Sequence, residues 1–459
     1  MNFRTTIILA LIFIIGIGGV LLLKKQDAKK EEEKKSEGKL LTIEKDKITD
    51  IYLEPSGIHA VKDSVRWSIV APVKTDGEKS SLDAILSMFD WGKAERIVSS
   101  DPNEYASFGL KPERGKLVLV HSAGADTFYL GDKSPTGSYV FARKSGSPDV
   151  FLVTTSLESN IQKTLFDLRE KNIIGFETGQ ANSLELVTPK GEFSLTKEGT
   201  NWELKAPLAC KADESKVSQI LSRLSSERAK EFVEEEPKSL TGYGMDKPTY
   251  EVNLTLGENR AKKTLLIGKP TEGKYFAKDE SRTPVFTVDS SFVSQLKVTL
   301  KDLRDKKVTD ISSYDIDRLV LEQPTGTISC EKDTAGNWMI TAPKTGKALA
   351  WKVSGITTAV ANLKADDFAG NGSASLRTFG LDKPSATGKF YKKDALLVEL
   401  LAGKEAKDDK RYVKTADDNT VYIVGKDIYD KLTTKLEDLL EPPPQTETKP
   451  AEGAKASSE

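Results

Sequence analysis

Trp67-Ser68-Ile69-Val70-Ala71-Pro72 returns as Trp202-Glu203-Leu204-Lys205-Ala206-Pro207 and again as Trp338-Met339-Ile340-Thr341-Ala342-Pro343, at spacings of 135 and 136 residues. One module is therefore written three times. A glycine turn keeps the same pitch in Phe108-Gly109-Leu110-Lys111-Pro112, Tyr243-Gly244-Met245-Asp246-Lys247-Pro248 and Phe379-Gly380-Leu381-Asp382-Lys383-Pro384. A period this long exceeds the roughly 20–50 residues of solenoid and propeller repeats. It matches an ordinary domain, so each copy is expected to close its own core.

Outward from the tryptophan, the alternation in Arg66-Trp67-Ser68-Ile69-Val70 predicts a half-buried strand that Ala71-Pro72 stops. An amphipathic helix follows, because Leu82, Ile85, Leu86 and Phe89 recur as Val217, Ile220, Leu221 and Leu224 on one helical face. The third copy keeps Val353, Ile356 and Val360 but carries Thr357 within the stripe, which makes its helix the weakest. After the glycine turn come strands at 116–120, 127–130 and 150–153, the last matched by 285–288 and 421–424. A closing helix is expected from Leu157, Ile161, Leu165 and Leu168, repeated as Phe292, Leu296, Leu300, Leu303 and as Ile428, Leu432, Leu436, Leu439. The predicted fold is α+β: three tandem modules of mostly antiparallel sheet with two helices, preceded by one transmembrane helix.

That reading divides the chain into an anchor at 1–23, a charged spacer at 24–39, modules at 40–172, 173–307 and 308–440, and a disordered tail at 441–459. Thr5 to Leu23 carries no charge and is long enough to span a bilayer as a helix, and an uncleaved anchor is favoured over a signal peptide. No cysteine follows this run, which argues against lipoprotein attachment. Long domains translocate largely regardless of flanking charge, and the modules are expected outside the cytoplasm. The closing helices end in Leu168-Arg169-Glu170-Lys171 and Leu303-Arg304-Asp305-Lys306 and run directly into the next copy. Adjacent modules are therefore expected to abut.

Lys plus Arg total 68 against 69 Asp plus Glu, interspersed along the chain, so no basic field attracts nucleic acid. Only His59 and His121 exist, neither spaced for a zinc helix, and no Gly-Lys pair is followed by the hydroxyl of a phosphate loop. Nucleophile-elbow, dinucleotide and Cys-x-x-Cys patterns are also missing. Cys210 and Cys330 fall at different points of neighbouring modules and are not expected to pair. No catalytic, cofactor or metal residue is assigned. Asp167, Asp302 and Asp438 recur at one point of the closing helix and read as folding residues, as do Asp246 and Asp382 in their turns.

Departures from the repeat carry the functional signal. Trp91 and Trp351 stand outside the shared motif and are the candidate partner-binding residues; Asp213-Glu214-Ser215-Lys216 of the second copy becomes Leu349-Ala350-Trp351-Lys352 in the third. The bland reading of this apolar helix start is local repacking or burial against the adjacent module.

Taken together, Trp67, Pro72, Gly109, Pro112, Gly131, Tyr139 and Val150, with their counterparts Trp202, Gly244, Pro248, Trp338, Gly380 and Pro384, resemble the bacterial domain of unknown function 4340. The likeness covers about residues 40 to 440, with Ala402-Gly403 departing from the usual Ile-Gly. It implies a single-pass protein of the bacterial inner membrane, often associated with an ABC transporter of the gliding type, without established catalysis. The expected role is a non-enzymatic structural or interaction subunit held in the membrane through residues 5–23, with envelope proteins or transporter subunits as partners. The alternative is a carboxylate-based glycan-acting enzyme or ligand-binding protein using a cleft between modules.

Overall fold

The computed structural model describes residues 38–41, 43–371 and 376–442. The apolar run 5–23, most of the charged spacer and the tail beyond 442 lie outside the described residues. Among the described residues, no helix is long and apolar enough to cross a membrane.

Three nine-stranded antiparallel sheets follow one another, each with helices, so the chain is an array of α+β modules. In the first, the strands are β1 (Ile48–Glu54), β2 (Ile58–Asp63), β3 (Arg66–Ala71), β4 (Thr75–Asp76), β5 (Ile97–Ser99), β6 (Gly115–His121), β7 (Gly124–Lys133), β8 (Tyr139–Lys144) and β9 (Val150–Thr154). Their order in the sheet is β4-β3-β2-β1-β6-β7-β8-β9-β5, and both later sheets repeat it. Each sheet is thus two meanders joined through the first strand, with a short strand carried round to the far edge.

Helix α1 (Lys79–Trp91) fills the crossover and buries Leu82, Ile85, Leu86 and Phe89, the predicted stripe. These join Ile51, Leu53, Leu117, Leu119 and Trp67 in one core. In the third copy the helix Ala350–Ala361 forms despite Thr357, which is buried and returns its hydroxyl proton to the Ser354 carbonyl at 3.1 Å. Local self-satisfaction makes a buried threonine tolerable there.

The closing helix differs from expectation. It is two short helices, α2 (Thr155–Ile161) and α3 (Leu165–Leu168), and the break recurs in the second copy as Ser290–Gln295 and Leu300–Leu303 and in the third as Asp427–Leu432 and Leu436–Leu439. A capping box restarts the second segment: Thr164 with Asp167, and Thr299 with Asp302, exchange side-chain and backbone hydrogen bonds. Hydrogen bonds from Thr164 and Thr299 hold Asp167 and Asp302 below the usual carboxylate range, although burial alone acts in the opposite direction and is the largest influence. The third copy carries Lys435 at the cap position and lacks that side-chain bond, while Asp438 keeps its place.

The repeated glycines interlock. Gly109, Gly244 and Gly380 hold φ of +66°, +72° and +68°, and a Cβ on Gly131, Gly268 or Gly403 would lie 2.1, 2.0 or 2.2 Å from the carbonyl oxygen of Phe108, Tyr243 or Phe379. The turn therefore lies directly against the end of the β7 strand, and Leu110, Met245 or Leu381 is buried beneath it. Gly403 preserves this contact even though Ala402 replaces the usual isoleucine.

At the edges, Gly38 and Leu40 pair with Ala94 and Gly92, and Leu40 and Leu41 are buried, so the first module's structure starts inside the stretch read as spacer. Glu441 likewise pairs with Lys347. By compactness the chain falls into two units, one combining residues through Gln180 with Ser222–Leu296, the other Ala181–Leu221 with residues from Lys297 onward. The first module-to-module junction lies wholly in one unit and the second wholly in the other.

Candidate functional site

The segment leaving each closing helix forms the junction. At the first, Gly77 bridges Arg169 while Asn172 bridges Arg228, so four consecutive residues tie one module's β4–α1 turn to the end of the next module's first helix. Glu78 N–H donates to Leu168 and Glu170 N–H to Asp76. At the second junction Ala212 bridges Arg304 and Lys307 bridges Lys364, with Asp213 N–H on Leu303 and Asp305 N–H on Lys211. Backbone pairing requires no particular side chain. The two joints share one skeleton.

Their side chains diverge. Arg169 is 2% exposed, lies over Phe232 with its guanidinium 3.4 Å from the ring centre, and meets Glu235 through both terminal nitrogens, Nη2 to Oε2 at 3.0 Å. Bidentate pairing and stacking satisfy a buried cation together. Glu78 adds a second node, accepting from Lys171 at 2.7 Å and from Arg228. Burial is the largest single influence on the Glu78 carboxyl and acts upward, but the hydrogen bond and charge of Lys171, with Ser81 and Arg228, bring it below its usual 4.5. Arg282 donates to the carbonyls of Asn172 and Ile173 at 2.6 and 3.0 Å and closes this joint from the far side.

Arg304 repeats the stack, 3.7 Å from the centre of Phe368 and 7% exposed. Its register partner for Glu235 is Asn371, and no carboxylate among the described residues forms an ion pair with it. In place of Arg282 stands Asp418, which accepts from the Tyr422 hydroxyl and the Thr420 N–H. Burial is again the largest influence and raises, yet these bonds hold Asp418 below the usual carboxylate range, while burial and Asp418 together push the Tyr422 phenol up. A cleft of about 470 Å³ opens between these groups, against about 350 Å³ at the first junction. Cys210 sits on its wall beside Arg304; burial raises its thiol, against the pull of that guanidinium.

The array's ends depart from the pattern. Ile97 takes the place of Phe232 and Phe368 in the first module, and Leu440 takes the place of Arg169 and Arg304 in the third. Leu440 turns back onto its own core, over Gly346, where the other copies carry Thr75 and Cys210; a Cβ on Gly346 would sit 2.8 Å from it.

Trp67, Trp202 and Trp338 are core residues, buried in all three copies, and the Trp67 indole donates to Asp83 at 2.9 Å. Trp91 is 80% and Trp351 67% exposed, each on a helix surface and neither in the junction cleft. Burial of Trp351 against a neighbouring module is thereby ruled out within its unit. His59 stacks on Tyr52 at 3.9 Å and bonds Asp50, and His121 ends β6. In the sequence Arg169 and Arg304 read only as helix ends; the signal that marks them is an arginine present at this position in the first two copies and replaced by Leu440 in the third.

A family model matches residues 67–207, 202–375 and 338–444, and its description is a domain of unknown function, DUF4340. The chain belongs to the DUF4340 family. Each matched segment starts at a recurring tryptophan, so the DUF4340 period is out of phase with the sheets, and the first segment runs through the first junction to Pro207. No curated protein matches the chain.

Proposed function

We propose that this DUF4340 protein is a non-enzymatic interaction subunit of the bacterial envelope, anchored through residues 5–23 with its modules outside the cytoplasm and docked to other envelope proteins, an ABC transporter of the gliding type among them. The observation that carries the reading is the pair of exposed tryptophans. Trp91 replaces the small polar residues found at Ser226 and Asn362, and Trp351 replaces Ser80 and Ser215, so neither ring is needed by the fold. Large aromatics held in water without a structural role are the commonest anchors of protein interfaces. The repeated residues, in contrast, are used in cores, turns and junctions.

The test places a photo-crosslinking residue at 91 or 351 in living cells, with exposed Tyr314 as control, in a strain carrying an export-dependent reporter after Leu440. Active reporter and crosslinks to a transporter subunit at 91 or 351, absent at 314, are expected. A silent but expressed reporter, or crosslinks no different from those at Tyr314, contradicts the reading.

A further inference from the structure

The second junction holds a buried cation with no ion-pair partner among the described residues. Desolvating a guanidinium costs several kcal/mol unless an anion compensates, and at the first junction Glu235 does so. Arg304 is also buried, at 7% exposed, and also stacked, 3.7 Å from the Phe368 ring centre; its guanidinium reaches the Cys210 sulfur but makes no hydrogen bond to an oxygen among the described side chains and carbonyls. Instead it lines the 470 Å³ cleft, a volume within the range of small-molecule sites. Phe368 fixes the plane of the fork, which leaves its N–H edge preset for a two-oxygen acceptor.

The remaining lining selects among anions. Lys211, Arg304 and Lys307 face Asp305, Asp310, Asp417 and Asp418, so the cleft repels a polyanion and attracts a ligand that carries both signs. Val308, Ile311, Leu397 and Val398 supply an apolar wall beside these groups. We propose that the cleft at the second junction binds a small amino-carboxylate, with Arg304 receiving the carboxylate and the aspartates receiving the ammonium group. Asn371 holds the repeat position of Glu235, so Asn371→Glu is the substitution expected to supply the carboxylate that the first junction already has.

The experiment titrates full-length protein with L-alanine, L-leucine and L-glutamine by calorimetry, with acetate, n-butylamine and inorganic phosphate as comparisons. At least one amino acid is expected to bind saturably and more tightly than any comparison compound. Arg304→Lys is expected to weaken it at least tenfold, and Arg169→Lys to leave it unchanged. Asn371→Glu is expected to abolish binding without lowering the melting temperature, which separates loss of the site from loss of the fold. Absence of saturable binding by every amino acid, equal binding of acetate or phosphate, or unchanged binding in Asn371→Glu overturns the proposal.

Discussion

The two junctions use the same backbone bridges and the same arginine-on-phenylalanine stack, but only the first completes the charge. Arg169 has Glu235, whereas the sequence carries Asn371 at the corresponding position of the next repeat and Arg304 lines a cleft. Phe166 reaches Phe232 at the first joint, while its counterpart Lys301 pairs with Asp367 at 3.0 Å at the second. Duplication therefore preserved what joins modules and released what surrounds the joint. The lesson is that the skeleton is fixed by main-chain geometry and one stacked cation, and the side chains around it are free to specialise.

Breaking the stack separates the joints most sharply. Arg169→Met leaves Glu235 without its partner beside a desolvated surface, at an expected cost of about 3 kcal/mol. Arg304→Met removes a cation that forms no ion pair among the described residues, and the expected cost is about 1 kcal/mol. Hydrogen exchange at the Ala229 and Ala365 amides, which donate to the Lys171 and Lys306 carbonyls across the respective joints, reads both locally. Equal deprotection of the two amides contradicts the distinction.

Acid should loosen the first joint through Glu78. Its carboxyl titrates lower in the folded chain than in the unfolded one, so its contribution is complete above the usual 4.5 and is lost as pH falls through the lowered value. Glu78→Gln is expected to remove about 1 kcal/mol at neutral pH and to flatten the acid dependence of Ala229 amide protection. At the second joint the corresponding Asp213 caps its helix through the Lys216 N–H at 2.9 Å, so Asp213→Ala costs about 1 kcal/mol as a lost cap and leaves the first joint untouched.

Much of this was legible in the sequence. The stripe of Leu82, Ile85, Leu86 and Phe89 specifies a buried helix face because helical periodicity leaves few alternatives, and the Trp, Gly and Pro spacings located each module. The break between Ile161 and Leu165 was hidden because apolar spacing continued across it; Thr164-x-x-Asp167 was its local sign. The joints were hidden for a different reason. Arg169 and Phe232 meet across 63 residues, and nothing local distinguishes a stacking arginine from a solvated one. Only comparison among copies, with Leu440 and Ile97 at the two ends, exposes the pair.

The smallest effect belongs to the surface tryptophans. Trp91→Ala and Trp351→Ala are each expected to change stability by less than about 0.5 kcal/mol in thermal unfolding, since neither ring is packed. A larger loss at either position gives the ring a structural role and removes the observation on which the interaction reading rests.

The most direct test of the difference between the joints is a double-mutant cycle at the second one, measuring unfolding of Arg304→Met, Asn371→Glu and the two together. If Arg304 lacks only the carboxylate that the first joint provides, Asn371→Glu stabilises the chain when Arg304 is present and not when it is absent, with a coupling of about 1–3 kcal/mol. Additive effects of the two substitutions would show that Arg304 is already satisfied, and the contrast between the joints would fall.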